Sequence, residues 1–427
     1  MKKRIILCSK TLRQALSERV LNRFGRESGF ARRWRKLTPS RAVWTFIAGM
    51  ASGGVDSISD LVRLFTDLTG INMRYKAFYD RLSSRRFPEF LRLTLETLMT
   101  VVCRPMQRSR AKHLRRFKDI VIQDGSSFAL NEDLEEFFPG RFTKISPAGI
   151  EVHCTYSLYD GQPTCISLAP DKEGERQFLP DPDELKGKLL LVDRGYVGFK
   201  YFTAVAKAGG DFIARAKSRQ FNPKILKCYR GLTGRRAAIG KKLKDIELPK
   251  NNVDLLVQGK DITGKLHTMR LVLYYVRKKD HHLYLLTSLP PGEFRPNIVA
   301  TLYRLRWQVE LFFKECKSYT ELKKFRTKNP HIAEALVWAS MIAIVLRRFL
   351  AYSAFKGSNV LAAPFVVATM SWTFMRDIAR SAVEKFRGMN RELERVLSLL
   401  RKWAPRTNPQ RKDTFVVVDI RPVTGYA

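Results

Sequence analysis

The chain has 427 residues, enough for two or three domains, and its 45% hydrophobic content is ordinary for a globular protein. Its 78 lysines and arginines against 40 aspartates and glutamates give a formal net charge of +38, which predicts a polyanionic partner, above all nucleic acid. The six cysteines include no CxxC pair, which argues against a disulfide or zinc framework and favours a reducing compartment.

Residues 1–117 predict a helical, basic region that binds DNA. Within it, residues 57–84 predict two helices broken at Thr69-Gly70, with Tyr75 on the apolar face of the second helix. The short glycine-containing break resembles a helix-turn-helix, and an ordinary helical hairpin is the alternative. Basic residues of the second helix and its surroundings favour DNA binding: Arg74, Lys76, Arg81, Arg85 and Arg86.

Residues 118–217 predict the first part of a mixed α/β core. A β-branched run starting at residue 119 ends at Asp124-Gly125, and the alternating segments 150–161 and 163–170 predict a hairpin. An apolar strand then ends at Asp193 and is followed by a helix and a further strand. Three strands with hairpin spacing, followed by strand–helix–strand, predict a mixed sheet covered by helices.

Residues 218–292 predict a β-rich insertion, and residues 293–330 return to the core with a helix over 297–318. Residues 331–427 predict a helical C-terminal region that ends in a polar tail. Its apolar segment 335–346 is shorter than the roughly 20 residues that cross a membrane, and the segment 357–375 carries a proline. Both are therefore predicted to be buried helices of a cytoplasmic protein that does not enter a membrane.

The segment "LYRLRWQVELFFKECKS", residues 302–318, combines an apolar face with a polar stripe. At about 100° per residue, the stripe falls within an arc of about 60°. Its members are Tyr303, Arg306, Glu310 and Lys317. A solvated salt bridge between Arg306 and Glu310 is the simple alternative, but it leaves the tyrosine and the lysine on the same line unexplained.

Two further carboxylates end predicted strands and precede a glycine: Asp124 and Asp193. Each alone is more often a turn residue. Ligands bind at strand ends in open α/β sheets, so the two aspartates and Glu310 together predict a site for divalent metal ions. Mg²⁺ prefers oxygen ligands, and two such ions promote the cutting or joining of phosphodiesters. Arg306 and Lys317 would bind the neighbouring phosphates.

With these residues in place, the sequence resembles the DDE transposases of the insertion-sequence-four family. The signature of that family is Tyr, two residues, Arg, three residues, Glu, six residues, Lys, which the stripe of residues 303–317 matches. The sequences "DGSS" at Asp124 and "DRGY" at Asp193 match its two aspartate motifs. The β-rich insertion between the second aspartate and the glutamate is a further point of resemblance.

The resemblance implies an RNase H-like core in which Asp124, Asp193 and Glu310 are catalytic and hold two Mg²⁺ ions, with Mn²⁺ able to substitute. It implies that the stripe residues Tyr303, Arg306 and Lys317 contact DNA phosphates, and Arg194 beside the second aspartate is expected to contact DNA as well. The expected activity is cut-and-paste transposition in the bacterial cytoplasm, at the nucleoid. A homodimer would bind the terminal inverted repeats of double-stranded DNA, cut them through a hairpin and join them to target DNA.

Some members of the family hold a flipped base with a tryptophan of the insertion, which this insertion lacks. Tyr229, Tyr274 or Tyr275 is expected to stack on that base instead. Trp307 is expected to pack, and bracing of the site is the alternative. Two other functions fit the same residues. One is a metal-dependent nuclease without strand transfer, and the other is a non-catalytic DNA-binding regulator descended from a transposase.

Overall fold

The structure is a computed structural model. It describes residues 2–31, 35–52, 55–102, 107–109, 111, 114–142, 144–217, 221–318, 327–356, 358, 360, 362–406 and 420–422. Its α-helices are α1 Lys2–Leu16, α2 Glu18–Glu27, α3 Pro39–Ser52, α4 Ile58–Thr69, α5 Tyr75–Leu82, α6 Arg86–Val102, α7 Phe199–Lys207, α8 Arg235–Ala238, α9 Pro296–Arg304, α10 Trp307–Ser318, α11 Pro330–Phe355, α12 Pro364–Val383 and α13 Met389–Trp403.

The strands form a large sheet and a small one. They are β1 Gln107–Ser109, β2 Ile120–Ala129, β3 Pro139–Phe142, β4 Ser146–Ser157, β5 Gln162–Pro170, β6 Leu189–Val192, β7 Asp211–Arg215, β8 Lys224–Arg230, β9 Val253–Lys260, β10 Leu266–Val276, β11 His281–Thr287 and β12 Ile420–Pro422. The small sheet pairs β1 with β12, so the C-terminal segment returns to the region between the N-terminal helices and the core.

The helices before and after the large sheet share one hydrophobic core. α11 packs against α3 and α6, and α12 packs against α3. α11 is apolar on all sides, which suits a helix that other helices surround. It is long and apolar enough to cross a membrane, but 89% of its most apolar 18-residue stretch is buried within the protein. The prediction that this segment is a buried core helix is therefore confirmed.

The predicted helix pair of residues 57–84 is present as α4 and α5. Ser57 caps α4 by accepting a hydrogen bond of 3.2 Å from the amide of Asp60, and Gly70 ends it with a φ of +67°. α5 buries Phe78 and Leu82. The prediction that Tyr75 shares this buried face is wrong, because its side chain lies at the first turn of α5 and is 50% exposed.

The second apolar segment, predicted as a helix over 357–375, is helical only from Pro364, where α12 begins. Residues 357, 359 and 361 lie outside the described residues. The helix is buried on one side only, since Phe365 is 61% exposed and Trp372 is 45% exposed. The prediction of a buried helix that closes a core is therefore confirmed for its inner face, while its outer face is exposed.

The five strands of the core lie in the order β5-β4-β2-β6-β7. β4 pairs antiparallel with both β5 and β2, whereas β2, β6 and β7 run parallel to one another. The connection between β6 and β7 contains α7, as parallel pairing requires. This order and these directions are those of an RNase H-like core, so the predicted mixed sheet with helical regions on both sides in sequence is confirmed.

The β-rich insertion continues the core sheet. β11 pairs antiparallel with β7, and β10, β9 and β8 follow, which gives one sheet of ten strands. Arg270 of β10 forms a buried ion pair of 2.8 Å with Asp254 of β9 and donates to the carbonyl oxygens of Leu289 and Phe294. This arginine therefore ties the insertion to the segment that leads into α9.

We predict that Arg270→Met lowers the free energy of unfolding by about 3–5 kcal/mol, because it leaves the carboxylate of Asp254 buried without a partner. The double variant Arg270→Met/Asp254→Leu removes both charges and is expected to recover a large part of this loss. Chemical denaturation of the three proteins measures the difference. A double variant no more stable than the single one would contradict this account of the ion pair.

Candidate active site

Asp124 and Asp193 lie side by side on neighbouring parallel strands. The register pairs Gln123 with Val192, so each aspartate is the next residue on its strand, and paired strands are about 4.8 Å apart. Ile122 and Leu191, two residues before the aspartates, belong to the core that the helices share. Because side chains alternate along a strand, both aspartates point to this helical side of the sheet.

Asp193 follows the last residue of β6, as predicted. Asp124 does not end its strand, because β2 continues to Ala129 through antiparallel pairing with β4. The prediction of a strand end at Asp124 is therefore wrong for β2 as a whole. The prediction is right for the parallel pairing of β2 with β6, which ends at Gln123 opposite Val192.

Glu310 faces these aspartates from α10. This helix buries Val309, Phe312, Phe313 and Cys316, which are the residues of the predicted apolar face. Its buried Glu315 pairs with Arg347 at 3.3 Å and with Arg348 at 2.9 Å, both on α11. The helix that carries Glu310 is therefore held in two ways. It packs against β2, and the ion pairs of Glu315 attach it to α11.

The segment 297–318, predicted as one helix, consists of α9 and α10 joined by a tighter turn at Leu305 and Arg306. Within the turn, the amide of Arg306 donates to the carbonyl of Tyr303, three residues back. Such spacing places residues three apart almost above one another. The prediction of one continuous helix is wrong, but the turn still brings Tyr303 and Arg306 to the same side of the chain.

Arg306 links the sheet to the helix. Its guanidinium donates to a carboxylate oxygen of Asp124 and, through its other terminal nitrogen, to a carboxylate oxygen of Glu310. Tyr303 donates its hydroxyl to Asp193 at 3.0 Å. The predicted arginine thus joins Asp124 to Glu310, and the predicted tyrosine binds Asp193. The simple salt bridge between Arg306 and Glu310 is also present, as one half of this bridge.

Burial controls the electrostatics of the site. It raises the pKa of Asp124 to about 6, with Arg306 and the amide of Gly125 acting in the opposite direction and the charges of Asp193 and Glu310 adding to the rise. Burial also raises the pKa of Tyr303, helped by Asp193, so its hydroxyl stays protonated and remains a donor. The site is therefore an acidic cluster in which one carboxylate accepts a proton readily.

The remaining predicted residues lie around this cluster. Lys317 has its ammonium 5.3 Å from the centre of the Phe128 ring, which is four residues, or about 13 Å, beyond Asp124 along β2. Arg194 is exposed and directly follows Asp193. The prediction that Trp307 packs is wrong, because α10 begins there at the surface and the indole is 57% exposed.

The three tyrosines of the insertion differ in their surroundings. Tyr275 donates its hydroxyl to Asp280, and the ring of Tyr229 lies 5.3 Å from the ammonium of Lys227. Tyr274 packs against the core that the helices share. Because Tyr274 and Tyr275 are neighbours on β10, their side chains point to opposite faces of the sheet. A role for any of the three in stacking on a base stays a prediction.

Arg215 is a site residue that the sequence analysis missed. It ends β7 at the level of Asp193, since Ala214 is paired with Val192, and its guanidinium lies 3.8 Å from Asp193. Asp124, Asp193 and Arg215 therefore form a row across three parallel strands. The available signal was the arginine next to the end of the predicted strand at residues 211–216.

A second group of carboxylates lies behind the site, on the other face of the sheet. Arg141 binds Glu151 at 2.9 Å and Glu175 at 3.4 Å. A side chain at Gly125 would collide with Glu151, and one at Gly195 would collide with Glu175. Gly125 and Gly195 therefore leave room for a carboxylate close to the backbone. The sequence suggested instead that these glycines form turns.

The donor set of the site suits a hard cation. Asp124, Asp193 and Glu310 offer carboxylate oxygens, and a guanidinium, itself a cation, already lies between two of them. Across the described part of the chain, no three or more His, Cys, Asp or Glu side chains are already gathered around one point where a metal ion could sit. The three carboxylates are therefore suitable ligands for a divalent metal ion. Arg306 would have to move before they could share one.

An RNase H-like sheet with two aspartates on adjacent strands, opposite a glutamate on a helix, defines a DDE-type enzyme that cleaves nucleic acid. The sequence model of the transposase DDE domain matches residues 115–346, more than half of the chain. The chain belongs to this family of transposases, and the resemblance to the insertion-sequence-four type is confirmed at the level of the family.

Known transposases are similar to the chain, two of them along most of its length and one over a short segment. The transposase of insertion sequence element IS231B from Bacillus thuringiensis subsp. berliner is 23% identical over 381 residues, which are 80% of this chain and 78% of that protein. The transposase of insertion sequence element IS1151 from Clostridium perfringens is 22% identical over 396 residues, covering 81% and 80%. A putative transposase of insertion sequence element IS186A from Escherichia coli strain K12 is 48% identical over 65 residues, covering 15% and 18%.

Among solved structures, the chain is similar to piggyBac transposase in its synaptic complex with hairpin DNA. The TM-score is 0.48 at 12% sequence identity, and the match covers 96% of this chain and 87% of that one.

We predict a proton-linked loss of stability at Glu151. Burial raises the pKa of this carboxyl from 4.5 to about 7, although Arg141 acts against the rise. Between these values the folded protein holds a proton that the unfolded chain has released, so stability falls as the pH rises through this window, by about 1–3 kcal/mol. Thermal unfolding at several pH values, with wild type and Glu151→Gln compared, measures this change. An equal loss in Glu151→Gln would assign the effect to other groups.

Proposed function

We propose that the chain catalyses the transposition of an insertion sequence: it cuts double-stranded DNA at the ends of the element and joins those ends to target DNA. The observation that carries this proposal is the arrangement of Asp124 and Asp193 on adjacent strands, with Glu310 held opposite by Arg306. Membership of the transposase family, and relatives that are transposases of insertion sequences, support it.

We infer that Asp124, Asp193 and Glu310 hold two Mg²⁺ ions, which Mn²⁺ can replace. When bound, such ions activate the attacking oxygen and neutralise the leaving oxygen of a phosphodiester. The burial of Asp124 and its raised pKa support this inference, because a carboxylate in this position needs a cationic partner to stay charged. In the protein alone, the guanidinium of Arg306 is that partner.

The cationic residues of the site bind DNA in this proposal. Arg306 exchanges its two carboxylates for phosphate oxygens, which its planar guanidinium can bind through two parallel hydrogen bonds. Tyr303 keeps its proton and donates it as a hydrogen bond. Lys317, beyond Asp124 along β2, and the exposed Arg194 bind phosphates farther along the same strand of DNA.

The reaction follows as a series of phosphoryl transfers, each of which breaks one P–O bond and forms another. Water first attacks the phosphodiester at the end of the element and frees a 3′ hydroxyl. That hydroxyl attacks the opposite strand and closes a hairpin, which a second water opens. The freed 3′ ends then attack target DNA. Two ends must be handled together, so we propose a homodimer that binds the terminal inverted repeats, acting in the bacterial cytoplasm at the nucleoid.

We predict that Asp193→Ala and Glu310→Ala reduce cleavage of a labelled element end to background, while binding of the same DNA stays within about twofold, because binding depends mainly on basic groups. Glu394→Ala on α13, an exposed carboxylate far along the chain, is the matched control and should cleave at the wild-type rate. Gel analysis with and without target DNA separates cleaved from joined products.

Three outcomes of this assay would overturn parts of the proposal. A variant that still cuts at the full rate removes its residue from the site. Cleavage by the wild type without any joined product supports a nuclease in place of a transposase. Tight binding by the wild type without cleavage in Mg²⁺ or Mn²⁺ supports a non-catalytic regulator.

We also predict that Arg306→Ala responds more strongly to Mg²⁺ than the wild type does. Without the guanidinium, Asp124 and Glu310 repel each other until an ion joins them, so Mg²⁺ at about a hundredfold its dissociation constant should stabilise the variant by about 2–3 kcal/mol. Thermal unfolding with and without Mg²⁺ measures the response, with Arg304→Ala as the control. Equal responses in all three proteins would count against a cation site at these carboxylates.

A further inference from the structure

The ladder between β2 and β6 ends directly before the two aspartates of the candidate active site. Its last pair is Gln123 with Val192. Beyond this pair, β2 continues along β4, whereas the chain after Asp193 enters a short 3₁₀ turn, Arg194–Tyr196. The ladder therefore fixes the aspartates from one direction only, and the distance between them also depends on contacts beyond it.

On the other face of the sheet, a carboxylate lies against the backbone beside each aspartate. Glu151 of β4 lies so close to Gly125 that a side chain there would collide with it. Glu175 leaves no room for a side chain at Gly195 in the same way. Because these glycines lie one and two residues beyond the aspartates, each carboxylate contacts the chain next to a candidate metal ligand.

Arg141 of β3 connects these two carboxylates. Its guanidinium donates to Glu151 at 2.9 Å and to Glu175 at 3.4 Å, each through a different terminal nitrogen. Asp171 holds the arginine in place, because its carboxylate accepts from the amide of Arg141 at 3.0 Å and its carbonyl oxygen accepts from Nε at 3.2 Å. Arg141, Glu151 and Glu175 are together called the rear cluster. In this cluster, one guanidinium joins the contacts that the two carboxylates make with the backbone.

The segment that carries Glu175 has two further contacts. This segment is a short 3₁₀ turn, Glu175–Phe178. Its Arg176 donates from Nε to the carbonyl oxygen of Gly195 at 3.3 Å. Its Phe178 stacks on the ring of His153, with 3.6 Å between the ring centres. His153 lies on β4, the neighbour of β2, so the turn contacts the chain on both sides of the point where β2 and β6 separate.

We propose that the rear cluster positions Asp124 and Asp193 so that their carboxylates can share one divalent metal ion. This role rests on the proposed function, because that function requires the ion. The cluster acts through the backbone at Gly125 and Gly195 and does not itself bind metal or DNA. Mg²⁺ tolerates little departure from octahedral geometry, with oxygen ligands at about 2.0–2.1 Å. A small change in the spacing of the two chain segments therefore weakens the site even when both ligands are present.

A purely structural role is the alternative, because the buried carboxylate of Glu151 needs the charge of Arg141 in any case. Glu175 separates the two roles. Its side chain is 25% exposed, so we expect its removal to leave the folded state intact. Its contacts with Arg141 and Gly195 are nevertheless the ones that the positioning role requires.

The test uses full-length Glu175→Ala, with Glu173→Ala as the matched control. Glu173 lies two residues away, carries the same charge and accepts a hydrogen bond from Gln177. Cleavage of a labelled element end is measured over a range of Mg²⁺ concentrations. We expect Glu175→Ala to cleave about 10–100-fold more slowly at limiting Mg²⁺ and to need more Mg²⁺ for half-maximal cleavage, with unchanged binding of the uncut DNA. The control should behave as the wild type does.

Hydrogen exchange in the metal-free protein gives a readout that is independent of cleavage. The amide of Tyr196 donates to the carbonyl oxygen of Asp193 at 3.3 Å, in the turn that Glu175 contacts. We expect the amides of residues 194–198 to exchange several times faster in Glu175→Ala than in the wild type. Glu173→Ala should leave their exchange unchanged.

Arg141→Lys tests whether the arginine acts together with Glu175. Lysine keeps a positive charge beside Glu151 but lacks the planar guanidinium that binds two carboxylates at once. We expect Arg141→Lys/Glu175→Ala to cleave no more slowly than the more impaired of the two single variants, because both changes break the same connection. Losses that multiply in the double variant would show that the two residues act separately, which would overturn the proposal.

Glu175→Ala with the cleavage rate, Mg²⁺ requirement and hydrogen exchange of Glu173→Ala would also overturn it. So would a slower Glu175→Ala that has the Mg²⁺ requirement of the wild type, because this result assigns a structural role to the cluster. A wild type that does not cleave in Mg²⁺ or Mn²⁺ would contradict the proposed function itself, and the positioning role with it. The two failures are therefore distinguishable by the behaviour of the wild type.

Discussion

Parallel pairing between β2 and β6 is the constraint on which the site depends. It brings two aspartates, 69 positions apart in sequence, to the same level of neighbouring strands. The antiparallel pairing of β2 with β4 then extends one of these strands beyond the other, so the aspartates lie at a step in the sheet and not at its outer edge. α10 packs across this step, held by the buried Glu315 and its two arginines. Without the parallel register, neither aspartate would meet Glu310.

Arg306 adds an electrostatic constraint to this geometry. Three carboxylates close together on a partly buried surface repel one another, and a guanidinium between Asp124 and Glu310 compensates for that repulsion. Arg215 does the same for Asp193, which also accepts a hydrogen bond from the neutral hydroxyl of Tyr303. The protein alone is thus stable with its acidic cluster assembled, because its own side chains provide the positive charge that DNA-bound ions provide in the proposed reaction.

Much of the fold and most of the site were readable in the sequence, because they depend on short-range patterns. Strand alternation, apolar runs and the spacing from Tyr303 to Lys317 give the elements and the polar stripe directly. The features that were missed depend on contacts between distant segments. The tight turn at Arg306, the extension of β2 past Asp124 and the exposure of Trp307 follow from how helices and strands meet. Gly125 and Gly195 are similar cases, since only the folded chain reveals the carboxylates that approach them.

The continuity of the ten-stranded sheet has a practical consequence for protein engineering. Because β11 is hydrogen-bonded to β7, the insertion cannot be exchanged as a cassette joined by two flexible linkers. A foreign insertion would have to supply an edge strand in the correct register, together with a replacement for the arginine that bridges to residues 289 and 294. Chimaeras between relatives should therefore have their junctions placed inside matched strands, and not in the loops where sequence comparison alone would cut.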